Sequence, residues 1–367
     1  MRVLGFMSGT SLDGVDAAIV DTDGERIEGF GPALLLPFSA EERAVLITAT
    51  EDAVRADGRG ERPASFAVAE TVVLDVHVRA ARALLARNDA GAIELAGFHG
   101  QTVLHRPDRR LTIQLGDPGA LARALGVPVV ADLRQADLAA GGQGAPLAPI
   151  YHAALADLIG AERPVAFLNI GGVANLSWLG RAGDVTAFDT GPGNGLIDLM
   201  VQSRGAGRYD DGGRFAAAGR VDEAILSGLL GSSYFRQTGP KSLDRYDFPV
   251  DAVAALPLPD AAATLVAFTA EAVARGATAL PEPPRRWIVC GGGRHNPVLM
   301  RALGERLGDV VSCDDHGLRG DFIEAEAFAF LAARSVRGLP ISFPTTTGVP
   351  SPITGGRQWS PVAERAA

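Results

Sequence analysis

Three glycine-rich turns, each following an apolar run, hold the residues best suited to chemistry: Met7–Gly14 (MSGTSLDG), Asp189–Gly195 (DTGPGNG) and Cys290–Asn296 (CGGGRHN). Glycine lets backbone N–H groups converge on an anion with no Cβ in the way. Gly9 and Gly14 in the first turn, Gly191, Gly193 and Asn194 in the second, and Gly291, Gly292 and Gly293 in the third are therefore candidates for contact with one phosphate-bearing ligand. For each turn taken alone, a tight connection between strands is the competing reading. No G-x-x-x-x-G-K-[ST] loop occurs, and the chain's single lysine is Lys241. Asp13 and Asp16 can serve Mg²⁺, which prefers oxygen ligands and keeps several waters; Asp16 can equally begin the next strand.

Asp189 sits where an apolar strand ends in a sharp turn, a place from which a carboxylate can take a proton from a hydroxyl or water beside a phosphoryl group. The alternative is a cap on the helix beginning near Gly195, a role that Asn194 can also fill. In GFHGQT, His99 and Gln101 flank a glycine at what reads as a strand end. Such groups recognise sugar hydroxyls and amides, although a histidine satisfied by backbone is also an option. Arg134, in DLRQADLAAGGQG, suits a carboxylate or phosphate, or a surface ion pair. His77 lies in a helical pattern and reads as a packing or surface residue, and Cys313–His316 (CDDH) as a surface turn in preference to a metal site.

Positioning these residues requires two series of elements that open alike. VLGFM, VDAAIVD and GPALLLPF are short strands split by Gly and Asp turns, and VAFLNIGG, VANLSWLG and DVTAFDTG repeat the pattern. Ser39 and Glu42 have the spacing of a capping box at a helix start, and FAVAETVVLDVHVRAARALLARN is the longest helical pattern in the first half. IELAGFHG and VPVVADL read as further strands. RRWIVCGGG followed by NPVLMRALGERLG is strand, glycine turn, helix, a geometry suited to nucleotide contact.

The 367 residues suffice for roughly two domains. With 47% apolar and 21% charged residues the composition is that of a folded protein, and a net charge of −9 with pI near 5.2 opposes nonspecific nucleic-acid binding. Two cysteines, Cys290 and Cys313, are too few for a disulfide framework, the opening RVLGFM shows no cationic n-region or long apolar h-region, and no run of ~20 apolar residues appears, which together lead to the expectation of a protein neither exported nor membrane-embedded. The expectation is a cytoplasmic protein with neither membrane nor nucleic-acid partners.

MSGTSLDGVD, GFHGQT, QLGDP, VVADLRQADLAAGGQGAPLAP, LNIGGVANLS, FDTGPGN and CGGGRHNP together resemble the anhydro-N-acetylmuramic acid kinase family, in family order over nearly the whole chain. That family belongs to the superfamily of actin, hexokinase and the heat-shock chaperone ATPases. The resemblance implies an α/β fold with two ribonuclease-H-like domains around a central cleft holding ATP. The expected boundaries are 1–131 with 344–367 for the first domain and 132–343 for the second. It implies cleavage of the 1,6-anhydro ring of 1,6-anhydro-N-acetylmuramic acid with phosphorylation of the freed O6 by Mg²⁺-ATP, in peptidoglycan recycling, by a homodimer.

By matching motif, Gly9, Thr10, Ser11, Leu12, Asp13, Gly14, Val15 and Asp16 correspond to the ATP-binding turn, and Asp189 to the base that activates water. Arg134 corresponds to the partner of the lactyl carboxylate, and Glu324, in DFIEAEAFAFLA, lies near the sugar, while Glu326 points elsewhere. Superfamily relatives carry an Asp where this chain has Met7, which shifts the expected metal contact to Asp13. The family's DFRRRD reads DLRQAD here, and its PKSTGRE reads PKSLDRYDF, so Lys241 keeps its motif while its neighbours differ. The rival readings are a kinase of the same fold acting on another sugar and a noncatalytic ATP-driven switch.

Overall fold

The computed structural model describes residues 1–362 except 238, 242 and 244–247, so most of the SLDRYDF stretch after Lys241 lies outside the described residues. Chain contacts divide the protein into two units, Met1–Leu158 with Phe322–Ala367, and Ile159–Asp321.

In the first unit the strands are β1 (Arg2–Ser8), β2 (Gly14–Thr22), β3 (Ile27–Pro37), β4 (Leu95–Arg106), β5 (Leu111–Leu115) and β6 (Val129–Ala131). In the second they are β7 (Val165–Ile170), β8 (Val173–Leu179), β9 (Val185–Pro192), β10 (Arg286–Cys290) and β11 (Val310–Ser312), and β12 (Arg357–Trp359) returns to the first. The first sheet runs β12-β6-β4-β1-β2-β3 with β5 on β4, and the second β11-β10-β7-β8-β9. In each, the opening three strands form an antiparallel meander and the later two join parallel to the first of them. The same order in both sheets is the ribonuclease-H-like topology expected, and it gives the two similar openings in the sequence a common structural cause.

One face of the first sheet is covered by the helices Ala40–Ala56 and Ser65–Leu85, whose Leu46, Val73, Val76 and Leu84 meet Leu4, Phe6 and Ile19 in one core. The capping box closes as the spacing predicts, with Ser39 accepting from the Glu42 amide and the Glu42 side chain accepting from the Ser39 amide. His77 is fully buried between Phe6 and Phe98, and burial pushes its pKa down to about 4. It is a packing residue.

Helix Ile323–Val336 packs on β1, β2 and β4. Its approach requires glycine at Gly5 and Gly97, where a Cβ would overlap the carbonyl oxygens of Ala325 and Phe328. Residues 132–158 and 322–343 thus group with the first sheet, whereas the sequence-based boundaries assign them to the second domain. Backbone contact onto a sheet decides membership here, and the sequence does not display it. The second core gathers Leu168, Leu176 and Phe188 with Val266, Phe268 and Val273 of helix Leu258–Ala277.

Candidate active site

In the first unit the β1–β2 turn closes through Leu12 N–H donating to the Gly9 carbonyl at 3.2 Å. Leu12, not a glycine, carries the left-handed backbone, at φ +56°, and its side chain enters the core. Val15 is likewise buried, and a Cβ on Gly14 would run into the Leu36 carbonyl of β3. Leu12, Gly14 and Val15 therefore serve the fold with their side-chain positions. Gly9, Thr10, Ser11 and Asp13 form the accessible part of the turn, and the nearest atom to a Cβ on Gly9 would be Ser11 Oγ at 3.6 Å. Asp16, half-buried, lies within β2 opposite Met7. Among the described residues no group of three or more His, Cys, Asp or Glu forms a cage for a metal. Exposed Asp13 fits Mg²⁺ only as one carboxylate beside ligands supplied by nucleotide phosphates and water.

The residue pattern around His99 and Gln101 reads as a strand end, yet β4 runs on through both. Gly100, at φ +73°, makes an irregularity that turns the two side chains to different tasks. Gln101 is fully buried: its Nε2 donates to the Gly9 carbonyl at 3.2 Å and its Oε1 accepts from Ser8 Oγ at 2.5 Å. It braces the β1–β2 turn, a role distinct from the substrate contact expected of it. His99, 5% exposed, lies under Phe328 with ring centroids 4.6 Å apart. Its Nε2 accepts from Arg134 Nη2 at 3.1 Å, and burial, reinforced by the Arg134 charge, holds its pKa well below the usual 6.5.

Arg134 precedes the short helix Gln135–Ala139 and donates from Nη1 to the Gly144 carbonyl at 2.7 Å. The glycine-rich bend that supplies this carbonyl is fixed by buried Asp137, which accepts from Gly144 N–H at 2.6 Å and from Thr347 Oγ1 at 2.5 Å. Glu324, in the first turn of helix Ile323–Val336, is open to solvent yet crowded by protein. That crowding raises its carboxyl above the usual range, against the pull of Arg134. Glu326 is buried and accepts from Tyr151 Oη at 2.7 Å, so the two glutamates do point apart. The first unit thus brings His99, Arg134 and Glu324 together around a cationic group able to pair with an acid.

In the second unit Asp189, 8% exposed, lies on β9, the outermost strand of the sheet. Its Oδ2 accepts from Leu243 N–H at 2.7 Å. It is not the N-cap of helix Gly195–Ser203: that position is Asn194, which makes no side-chain capping bond. The amides of Gly193 and Asn194 donate to the carbonyls of Gly172 and Gly171 at 3.1 and 2.7 Å, and a Cβ on Gly191 would press on Ala272 at 2.6 Å. Gly191 and Gly193 are thereby explained by close packing, with the Gly193 N–H already committed within the protein.

Gly291, at φ +74°, and Gly293, packed on Ile170, shape the third turn, and at Gly292 a Cβ would touch only Asn194 Nδ2, at 3.8 Å. Asn194, Gly292, His295 and Asn296 line a cavity of ≈ 430 Å³ in this unit, together with Tyr209 and Asp211. Buried Arg294 fixes the turn from behind through Asp321 at 2.6 Å and Asp314 at 2.7 Å. Cys313–His316 is a capped turn that supplies Asp314.

Gly171 and Gly172, which lie in LNIGGVANLS but carry no predicted site role, form the β7–β8 turn, the counterpart of β1–β2 in the first sheet. A Cβ on Gly172 would meet nothing within 4 Å. The repeat of strand, glycine turn and strand is the signal that could have found them.

The profile of the anhydro-N-acetylmuramic acid kinase family matches residues 1–360. A protein of that name from Phenylobacterium zucineum is 56% identical over 364 residues, covering 97% of this chain and 99% of its own. One from Caulobacter vibrioides is 55% identical over 365 residues, covering 97% and 98%. Among solved structures, component A of (R)-2-hydroxyglutaryl-CoA dehydratase from Acidaminococcus fermentans aligns over 92% of this chain and 99% of its own at 12% identity. The TM-score of that alignment is 0.47. Matched over residues 1–360 by the family profile and at more than half identity by these relatives, the chain belongs to the anhydro-N-acetylmuramic acid kinase family.

Proposed function

We propose that this kinase opens 1,6-anhydro-N-acetylmuramic acid with water and phosphorylates the freed O6 from ATP, with Asp189 as the base. The observation that carries the proposal is the Asp189 carboxylate, nearly buried and oriented by the Leu243 amide at the sheet edge. A fixed carboxylate can accept the proton of a water as its oxygen attacks the anomeric carbon, C1. The C1–O6 bond then breaks, O6 takes the γ-phosphoryl group, and ADP leaves.

Gly9, Thr10, Ser11 and Asp13 are proposed to approach the phosphates from the β1–β2 turn. Gly172, Asn194 and Gly292 are proposed as the second unit's nucleotide contacts, and the ≈ 430 Å³ cavity that Asn194 and Gly292 line suits the nucleoside. Asp13 is the residue proposed to contact Mg²⁺, which supplies neutralisation of phosphoryl charge when bound. Arg134, steadied by His99, is proposed to pair with the lactyl carboxylate, and Glu324 to face the sugar. This chemistry belongs to cytoplasmic recycling of peptidoglycan, and the resemblance supports a homodimer, which light scattering of the purified protein tests.

ADP release measured with and without the anhydro-sugar tests the reading. A kinase releases ADP in proportion to added sugar; steady ADP formation without it marks an ATP-driven switch.

A further inference from the structure

Among the described residues β9 ends the second sheet, and no other described strand pairs with the outer backbone edge at Asp189. Three hydrogen bonds from one following segment take that place. Asp189 N–H donates to the Lys241 carbonyl at 3.0 Å, Tyr234 Oη donates to the Asp189 carbonyl at 2.5 Å, and Leu243 N–H donates to Asp189 Oδ2 at 2.7 Å. The segment is in turn closed on itself by Lys241. Its Nζ donates to the carbonyls of Tyr234 and Gln237 at 3.3 and 3.2 Å and stands 4.2 Å from the centre of the Tyr234 ring. Tyr234 is 7% exposed and meets Phe235 and Phe248 edge-on, at 5.6 and 6.1 Å between centroids.

We propose that Tyr234 and Lys241 are positioning residues of the reaction, a clasp that sets where the Asp189 carboxylate points. Two features set this clasp apart from ordinary packing. The Tyr234 hydroxyl spends its proton on the backbone of the very residue whose side chain Leu243 orients. Lys241, the chain's single lysine, is half-buried with its ammonium spent on carbonyls inside the segment. An ammonium gives three rotatable donors at one point, which suits stitching two carbonyls and an aromatic face together. Loosening either residue leaves the base in place but lets its carboxylate wander, and misplacement of a reacting group by about 1 Å can cost on the order of 10²-fold in rate.

The proposal rests on Asp189 as the base, and the test separates the two. Tyr234→Phe removes one hydroxyl and keeps the ring, and Lys241→Met removes the ammonium and keeps the stem. Each is expected to lower kcat by roughly 10- to 100-fold with KM for sugar and ATP within about 2-fold of native and an unchanged melting temperature for Tyr234→Phe. In an Asp189→Asn background Tyr234→Phe is expected to have no further effect, because it acts through the base it positions. Native kcat in Tyr234→Phe, a rise in KM alone, or the same fold-loss with and without Asp189→Asn overturns the proposal. If Asp189→Asn by itself leaves kcat near native, the base assignment falls, and the clasp with it.

Discussion

Arg134 is tied to His99: the guanidinium donates from Nη2 to the imidazole Nε2 at 3.1 Å, and from Nη1 to the Gly144 carbonyl at 2.7 Å. Two protein acceptors fix its plane in advance of any ligand, and a neutral imidazole can do this only while its pKa stays depressed. With its guanidinium plane fixed, it is oriented for an incoming carboxylate.

Arg134→Ala is therefore expected to lower kcat/KM for 1,6-anhydro-N-acetylmuramic acid by roughly 1–3 kcal/mol, the half-buried setting placing it between exposed and buried pairs. The loss for 1,6-anhydro-N-acetylglucosamine, which lacks the lactyl acid, is expected to be small. Measuring kcat/KM for both sugars with native and mutant enzyme checks this; equal losses on both would move the carboxylate contact to another residue.

The two glycines of the β1–β2 turn are expected to part company. Gly14→Ala forces a Cβ against the Leu36 carbonyl and should cost about 1–3 kcal/mol of stability. At Gly9 an added Cβ comes no nearer to a protein atom than 3.6 Å, to Ser11 Oγ, so in Gly9→Val the fold should survive while ATP affinity drops about 10-fold or more, because the branched side chain fills space next to the turn. Melting curves and calorimetric titration with ATP separate these outcomes. Unchanged ATP affinity in Gly9→Val would detach the turn from the nucleotide.

Stability is expected to fall as pH drops from 6.5 toward 5. His77 and His152 are held down to about 4 and about 3 by burial, and His99 well below 6.5. In this window the unfolded chain takes up protons that the folded chain refuses, so stability rises with pH. Each such histidine contributes up to about 1.4 kcal/mol per pH unit, full above its unfolded value of 6.5 and lost as pH falls toward its folded value. Glu324 and Asp132, both raised, titrate in the opposite sense and reduce the slope. Urea midpoints at pH 7.5, 6.5, 5.5 and 5.0 test this; a flat profile would show that these imidazoles are not held neutral.

Asp189→Asn should keep ATP binding and the fold but lose kcat by a factor on the order of 10²–10⁴. Steady-state rates alongside calorimetry provide the check, and near-native kcat would remove Asp189 from the chemistry.

Much of this was legible beforehand because it depends on local pattern. The Ser39–Glu42 cap, the paired three-strand openings and the separation of Glu324 from Glu326 follow from spacing alone. What stayed hidden depends on tertiary approach. Gly14, Gly191 and Gly193 look like phosphate-turn glycines but are required where backbone meets backbone or helix. Gln101 looks like a sugar contact but is spent on Ser8 and Gly9, residues more than ninety positions away in the chain. Tyr234 carries no motif that would mark it, and only the edge position of β9 gives its hydroxyl a purpose.

Opening of the anhydro ring by water, with phosphoryl transfer to the freed O6, is checked by running the reaction in oxygen-18 water. The product is reduced with borohydride at once, so that the C1 oxygen cannot exchange, and weighed by mass spectrometry. One oxygen-18 atom on the sugar at C1 with an unlabelled phosphoryl group is the predicted result. Label in the phosphoryl group, or a phosphorylated sugar with no label at C1, would contradict it.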